Sequence, residues 1–428
     1  MIQLMKRAIL TMLVFAAACS SPSVPAPSAP SSITGVPPSE VPTAISLATP
    51  EVVGPTASPS PASFPSPTTT PRRAHPDEGV RAHALGTLAA DWIFVGKQVP
   101  YPDNIWAELQ IWAIPLDSGR PRIALAYDVS LGGIPEAIFD IAPHLHRQFS
   151  PDGTRVVVSV NGALVVVDLQ TGARQPLGVS GYFPAWSKDG SKIAYVSYLP
   201  FAQVVPPEQA IFVVSAGGGP EREIARIGYG GQAVEWSPDG SKVIVALQDG
   251  IALVDVASGR VLQRLTDLAS GVSFASWRSA TPQIAMATGR CDQTSTKLVG
   301  LDDAGAPERT LLDMGEPCPT LRVGDPRWNP ASRAELLYVA TRANLGAMPH
   351  EYRAHILNTT SGRDTTLPFD AYEATWTWQG DSVVYVRRAA TGFFGDSVRV
   401  WRRDGTGERV LFDDTADPRL FGIASLRY

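Results

Sequence analysis

The feature that most constrains this chain is one segment pattern that returns again and again. FSPDGTRVVVS begins at Phe149, WSKDGSKIAYVS at Trp186 and WSPDGSKVIVA at Trp236. Weaker copies begin at Trp277 (WRSATPQIAMA), Trp328 (WNPASRAELLYVA) and Trp378 (WQGDSVVYVR). The anchors are separated by 37, 50, 41, 51 and 50 residues, room for four short strands and their loops each time. An aromatic residue ends the first strand, and Ser-x-Asp-Gly follows as a turn. There Asp can bond its own backbone, and Gly takes a positive φ with no Cβ to clash. The next strand runs apolar (RVVVSV, KIAYVS, KVIVAL), as a strand covered on both faces must. A third strand (ALVVVDL, AIFVVSA, IALVDVA, RVWRRD), a Gly turn and a short fourth strand (GRVLQRLT, GERVLFDD) complete the unit. Such a sheet needs a neighbour on each side. The repeat therefore predicts an all-β chain forming a single β-propeller, with strands A to D of each blade counted outward from the axis.

Upstream of the repeats the composition changes twice. Lys6 and Arg7 precede an apolar run, Ala8 to Ala18, that ends in small residues before Cys19. At about 1.5 Å per residue this run is too short for a hydrocarbon core of about 30 Å, and it reads as a signal peptide over residues 1–18. The segment AAAC resembles the lipobox of bacterial lipoproteins, which implies cleavage before Cys19 and lipidation on it; Ala16 departs from the larger aliphatic residue usual there. Residues 19–84 are rich in Pro, Ser, Thr and Ala (SPSVPAPSAPSS, ASPSPASFPSPTTTP), with little apolar surface to offset chain entropy. They are expected to be a disordered tether, with the propeller at 85–428.

The motif WSPDGxxIAYVS, followed by an apolar third strand and a Gly turn, resembles the repeats of the TolB C-terminal propeller over roughly residues 85–428. The resemblance implies an extracytoplasmic propeller with envelope partners. A Pro-rich segment stands where TolB carries a separate α/β domain, so the likeness is to the propeller alone.

Strand counting refines the expectation. WIFVG, ELQIWAIPL and RPRIALAY supply B, C and D strands with no A strand before them, and LFGIASLRY supplies a lone A strand after the last repeat. Together they make one blade in which the C-terminal strand pairs with the N-terminal three, removing a free edge. Seven four-stranded blades are predicted, or six if the Trp92 segment or the Trp277 repeat is irregular. Chain order also assigns faces. The tight A–B turns share one face, and the B–C and D–A loops share the other. Several B–C loops are long and carry Tyr101, Trp106, Tyr198, Phe201, Arg290, Arg342, Tyr352, Phe393 and Phe394. Aromatic residues and arginine in such loops are the composition of a recognition surface, although any one of them could equally pin its own loop.

Cys291 falls in a B–C loop and Cys318 in the next D–A loop, on one face of one blade. In an exported chain they are expected to form a disulfide. The Trp anchors, one per unit, are read as packing residues and not as a stacking site. His144 and His146, two apart before Phe149, would share one side of a strand, but no third ligand is evident and no metal or other cofactor is expected. Asp152, Asp189 and Asp239 are turn residues without need of an ion.

No Gly-x-Ser-x-Gly elbow, HExxH, P-loop or dinucleotide fingerprint occurs. Loop acids such as Asp103, Glu108, Asp292 and Glu351 could still converge as a glycosidase-type pair. With 36 basic and 41 acidic residues there is no cationic field for nucleic acid. The expected function is a monomeric, membrane-anchored, non-catalytic module binding an envelope protein, peptide or glycan. The alternative is a carbohydrate-active or other hydrolytic propeller enzyme.

Overall fold

The computed structural model describes residues 79–426, apart from 102–105, 131–144, 200–207, 266–274, 278–282, 289–296, 303–308, 316–320, 343–350, 389–394 and breaks of three residues or fewer. The described chain is almost entirely antiparallel strand, arranged as successive meanders. Meander 1 comprises Trp92–Pro100, Trp106–Pro115 and Arg122–Ser130, paired in chain order. Meander 2 comprises Arg155–Val160, Ala163–Asp168 and Arg174–Ser180. Meander 3 runs Tyr182–Trp186, Lys192–Tyr198, Gln209–Ser215 and Arg222–Gly228. Meander 4 runs Ala233–Trp236, Lys242–Leu247, Gly250–Asp255 and Val261–Leu265. Meander 5 runs Ala275–Trp277, Gln283–Thr288, Lys297–Asp302 and Arg309–Asp313. Meander 6 runs Leu321–Trp328, Glu335–Arg342, Glu351–Asn358 and Asp364–Asp370. Meander 7 runs Glu373–Trp376, Ser382–Arg388, Gly395–Arg402 and Gly407–Asp413.

The apolar cores lie between meanders, not inside them, as the doubly covered strands require. Val157, Leu164 and Leu177 of meander 2 bury against Trp186, Ile193 and Tyr195 of meander 3. Ala185 and Val196 of meander 3 bury against Trp236 and Val245 of meander 4. Meanders 5 and 6 share a core, as do 6 and 7. Ile93 and Val95 of meander 1 share one with Val384 and Val398 of meander 7, and Ile423 joins it. Sheets packed face to face in chain order make a β-propeller.

The C-terminal strand Leu420–Leu426 pairs with Trp92–Pro100 from Trp92↔Leu426 to Lys97↔Leu420. It also touches meander 7 through a single pair, Gly395↔Leu420. Gly96 has no room for a side chain: a Cβ there would lie 2.7 Å from the Phe421 ring. Lys97 Nζ meets Asp414 Oδ1 at 2.7 Å with both side chains buried, and Trp112 stacks on Phe412 at 5.0 Å.

The Ser-x-Asp-Gly turns follow from local chemistry. The Ser187 hydroxyl donates to Asp189 at 2.6 Å and accepts the Lys192 N–H, while Asp189 accepts the Ser191 N–H. Ser150/Asp152 and Ser237/Asp239 repeat this arrangement. Gly153, Gly190 and Gly240 sit at φ 71, 71 and 70°. With hydroxyl and amide hydrogens aimed at them, the Asp189 and Asp239 carboxyls are held down at about 2.

Three expectations are corrected. The last anchor is Trp376, not Trp378. Trp376 is buried and donates Nε1 to Arg327 O at 3.0 Å, as Trp236 does to Ala185 O, whereas Trp378 is 51% exposed. Thr377 takes the place of the motif serine, accepting the Ser382 N–H, and Trp378 takes that of the proline. Second, His146 is not in a strand: Leu145–Arg147 is a 3-10 turn, and only Phe149 bridges to Val156. Third, packing begins upstream of residue 85. Arg81–Ala82 pairs with Arg122–Ser130, Arg174 donates to Val80 O, and Val80 and Leu85 are buried.

Candidate binding face

The ends of the second strands and the starts of the third share one face, and several of the predicted aromatic and arginine residues sit there. Trp106 opens its strand half-buried, its carbonyl accepting the Tyr101 N–H at 2.9 Å. Tyr101 itself is buried, and its hydroxyl donates to Asp128 Oδ1 at 2.9 Å. Burial, followed by the adjacent Asp128 carboxylate, pushes this phenol up to about 12. Arg81 closes the network, reaching Glu108 at 2.6 Å and Asp128 at 3.0 Å. Tyr101 thus holds the base of its loop. Tyr198 is half-buried, edge-on to Tyr182 at 6.0 Å. Phe201, Arg290, Phe393, Phe394, Asp103 and Asp292 lie outside the described residues, as do Cys19, Cys291 and Cys318.

Arg342 and Tyr352 are brought together on meander 6. The pairing Thr341↔Tyr352, Arg342↔Glu351 puts them at the loop end of adjacent strands. Arg342 is exposed, 3.5 Å from Glu351. The Tyr352 ring lies under the Arg388 guanidinium at 4.5 Å and 6.1 Å from Tyr372, so this corner joins meanders 6 and 7. Arg387 is fixed beside it by two bonds to Asp396, at 2.8 and 2.9 Å.

On the other side of meander 6 a groove of about 450 Å³ opens toward the outermost strand of meander 5. Register places Tyr338 opposite His355 and Arg342 opposite Glu351, with Arg353 between His355 and Glu351 on the same side of the sheet. Tyr338 stacks on His355 at 4.9 Å, and His355 Nδ1 lies 3.0 Å from Asp364. Burial, then the Asp364 carboxylate, drives the Tyr338 phenol well above its ordinary range, so the hydroxyl stays a donor at physiological pH. Arg353 bridges Glu351 at 3.2 Å and Asp370 at 2.9 Å. Asp313 of meander 5 forms part of the opposite wall. Arg342 and Arg353 therefore face Asp313, Glu351 and Asp364, with the His355 ring beside them. Such a surface offers donors and acceptors of both kinds and no cationic excess, which suits a polar ligand better than a polyanion.

Tyr338, Arg353, His355 and Asp364 were not picked out from the sequence, although a signal existed. In EYRAHILN, Glu351, Arg353 and His355 recur every second residue, the mark of a polar side on one strand. Of the loop acids considered as a pair, Glu351 lines the groove while Glu108 is tied to Arg81. Among the described residues, no three His, Cys, Asp or Glu side chains are clustered to hold a metal ion, and no helix is long and apolar enough to cross a membrane.

Neither a family model nor a curated protein matches this chain in sequence. Solved structures similar to it include TolB from Acinetobacter baumannii, at 16% identity and a TM-score of 0.43 over 82% of each chain. An oligogalacturonate lyase in complex with manganese is similar at 11% identity and a TM-score of 0.49, over 77% of this chain and 86% of that one. The β-propeller domain of the Trilobed protease from Pyrococcus furiosus is similar at 11% identity and a TM-score of 0.43, over 76% and 85%. The fold itself follows from the pairing and packing above.

Proposed function

We propose that this chain is a monomeric binding scaffold held outside the cytoplasmic membrane by a lipid on Cys19, its Pro-rich segment a spacer. In this reading the meanders are seven blades of a ring closed by the C-terminal strand, with Cys291 and Cys318 disulfide-bonded. The propeller binds an envelope protein, peptide or glycan without transforming it. The observation that carries the reading is the groove on meander 6 and its adjoining corner. There Arg342, Arg353, His355 and Tyr352 offer both charged and aromatic contacts beside a cavity of ligand size.

The test is affinity capture from envelope extracts with the mature chain, repeated with Arg353→Ala, Tyr352→Ala, Trp106→Ala and Phe394→Ala. Loss of a captured partner in Arg353→Ala supports the groove, and loss in Tyr352→Ala supports the adjoining corner. Retention of every partner in all four sinks the loop face as the docking side. A hydrolytic role is the second reading, favoured by three carboxylates, Asp313, Glu351 and Asp364, lining one groove. Turnover of chromogenic glycosides that Glu351→Gln abolishes would establish it in place of binding alone.

A further inference from the structure

The segment ahead of meander 1 shows what the outer gap between two meanders can hold. Residues 80–88 form a strap between the outermost strand of meander 1 and the outer half of meander 2. Arg81 pairs with Ala126 and Ala82 with Leu125, on the outer edge of Arg122–Ser130, and the His83 N–H donates to Ala124 O at 2.8 Å. On the side of meander 2, the Leu85 N–H donates to Leu169 O at 2.8 Å, and Arg174 donates to Val80 O at 2.5 Å. Val80, Leu85 and Leu88 are buried, and with Ala82 they share one core with Val158, Val160 and Val165 of meander 2. A stretch of chain has thus added itself to a sheet edge and covered it.

The groove on meander 6 is the same gap, between meanders 5 and 6, and register matches the two position by position. In meander 1 a bulge separates the pairs Ile111↔Leu125 and Trp112↔Ile123; in meander 5 a bulge separates Leu298↔Leu312 and Val299↔Thr310. Leu125 and Ala126, which carry the strap, therefore correspond to Leu312 and Asp313, and both of these line the groove. Across the gap, the pair Val158↔Val165 corresponds to Tyr338↔His355, which puts Ala340 and Arg353 in the places of Val160 and Ala163. The glycine turns, in which Gly172 N–H donates to Asp168 O and Gly362 N–H to Asn358 O, put Asp364 in the place of Arg174. These residues of meander 6 line the groove as well. Among the described strands only Lys297–Asp302 pairs with Arg309–Asp313, so none covers the edge that the strap covers in meander 1.

We propose, on the reading of this groove as the binding site, that its ligand is an extended peptide segment of a partner protein, added to meander 5 as a strand antiparallel to Arg309–Asp313. Main-chain bonds to the edge supply affinity, and alternate side chains of the peptide enter the groove. The strap lays apolar side chains on a bed of valines. In meander 6 that bed is replaced by Tyr338, Arg353, His355 and Asp364, so the side chains that enter are polar or charged. Where Arg174 donates to a strap carbonyl, Asp364 accepts instead, from a peptide N–H or from a basic side chain. A glycan has no run of amides with which to continue the sheet.

The test is selection of a phage-displayed library of random dodecapeptides on the mature chain, with depletion on its Arg353→Ala variant, a change at a part-exposed side chain. The best peptide is then synthesised as it stands and with alternate backbone nitrogens methylated, which removes strand pairing and keeps the side chains. By calorimetry the methylated form is expected to bind about tenfold more weakly or worse, as the loss of two or more main-chain bonds requires. Amide hydrogen exchange is expected to slow over Leu311–Met314 when the unmodified peptide is bound. Equal affinity of the methylated form, or protection confined to other segments, overturns strand addition. So does the absence of any peptide that prefers the unchanged chain to Arg353→Ala. If an envelope partner is nevertheless lost in Arg353→Ala, or chitotriose or maltotriose protects the groove where no peptide does, strand addition fails while the groove stands as a binding site. With neither, both readings fail.

Discussion

Replacing Trp376 by Ala, and separately Trp378 by Ala, tests the register of the last repeat and with it the packing logic of the stacked sheets. Trp376 is 4% exposed, so nearly all of its side chain is withdrawn from water. An aromatic side chain buries about 150–250 Å². At about 25 cal/mol per Å² that is about 4–6 kcal/mol, an upper bound consistent with the roughly 3–5 kcal/mol typical of buried Trp→Ala changes. The bond from Nε1 to Arg327 O accounts for about 1 kcal/mol, and Trp376→Phe should lose about that much by itself. Trp378 is 51% exposed, and its removal leaves no closed cavity, so the loss should be about 1 kcal/mol or less. The two alanine variants should therefore differ by about 3 kcal/mol. Urea unfolding followed by intrinsic fluorescence reads this as a shift in midpoint at constant slope, and unfolding rates serve if the transition is irreversible. Equal losses, or a larger one for Trp378, would refute the assignment of Trp376 as the inter-sheet anchor.

The acid limb of stability should carry the turns. The Asp189 and Asp239 carboxyls are held at about 2, against 3.8 ordinarily, first by the Ser187 and Ser237 hydroxyls. The folded state then binds these protons less readily than the unfolded one, so their contribution is complete above about pH 4 and lost as pH falls through about 2. The double variant Asp189→Asn, Asp239→Asn should show a shallower fall of thermal midpoint across that window; an unchanged slope sinks the argument. Lys97→Met should destabilise the fold by removing the buried ion pair with Asp414, and a double-mutant cycle with Asp414→Asn should show a coupling between the two of about 1 kcal/mol or more. If Cys291 and Cys318 are bonded, the denatured mature chain should react with a thiol reagent only after reduction, and reaction beforehand rules the bond out.

Much of the architecture was legible because its determinants are close in sequence. Ser187, Asp189 and Lys192 close their turn among themselves, so the motif announces the hairpin wherever it occurs. The pairing of LFGIASL with WIFVGK followed from counting strands, because an unpartnered edge at each end of the chain is resolved by joining them. The candidate face was half legible. Arg342 and Tyr352 stood out as loop residues, but Tyr101 looked the same on paper and is buried against Asp128. The difference lies in Arg81, which comes from a segment that reads as tether and yet pairs with Arg122–Ser130.

Local chemistry written in consecutive residues determined the repeat, its turns, the alternation of its strands and the order in which loops emerge. Tertiary structure alone decided which of Trp376 and Trp378 is the anchor. On paper the two would lie on the same side of an extended chain, and it is the bond to the Arg327 carbonyl of the neighbouring sheet that marks Trp376 as the anchor. The same holds for the groove on meander 6. It is formed by side chains from different sheets, and a contact between sheets depends on how two surfaces meet, which no single strand encodes.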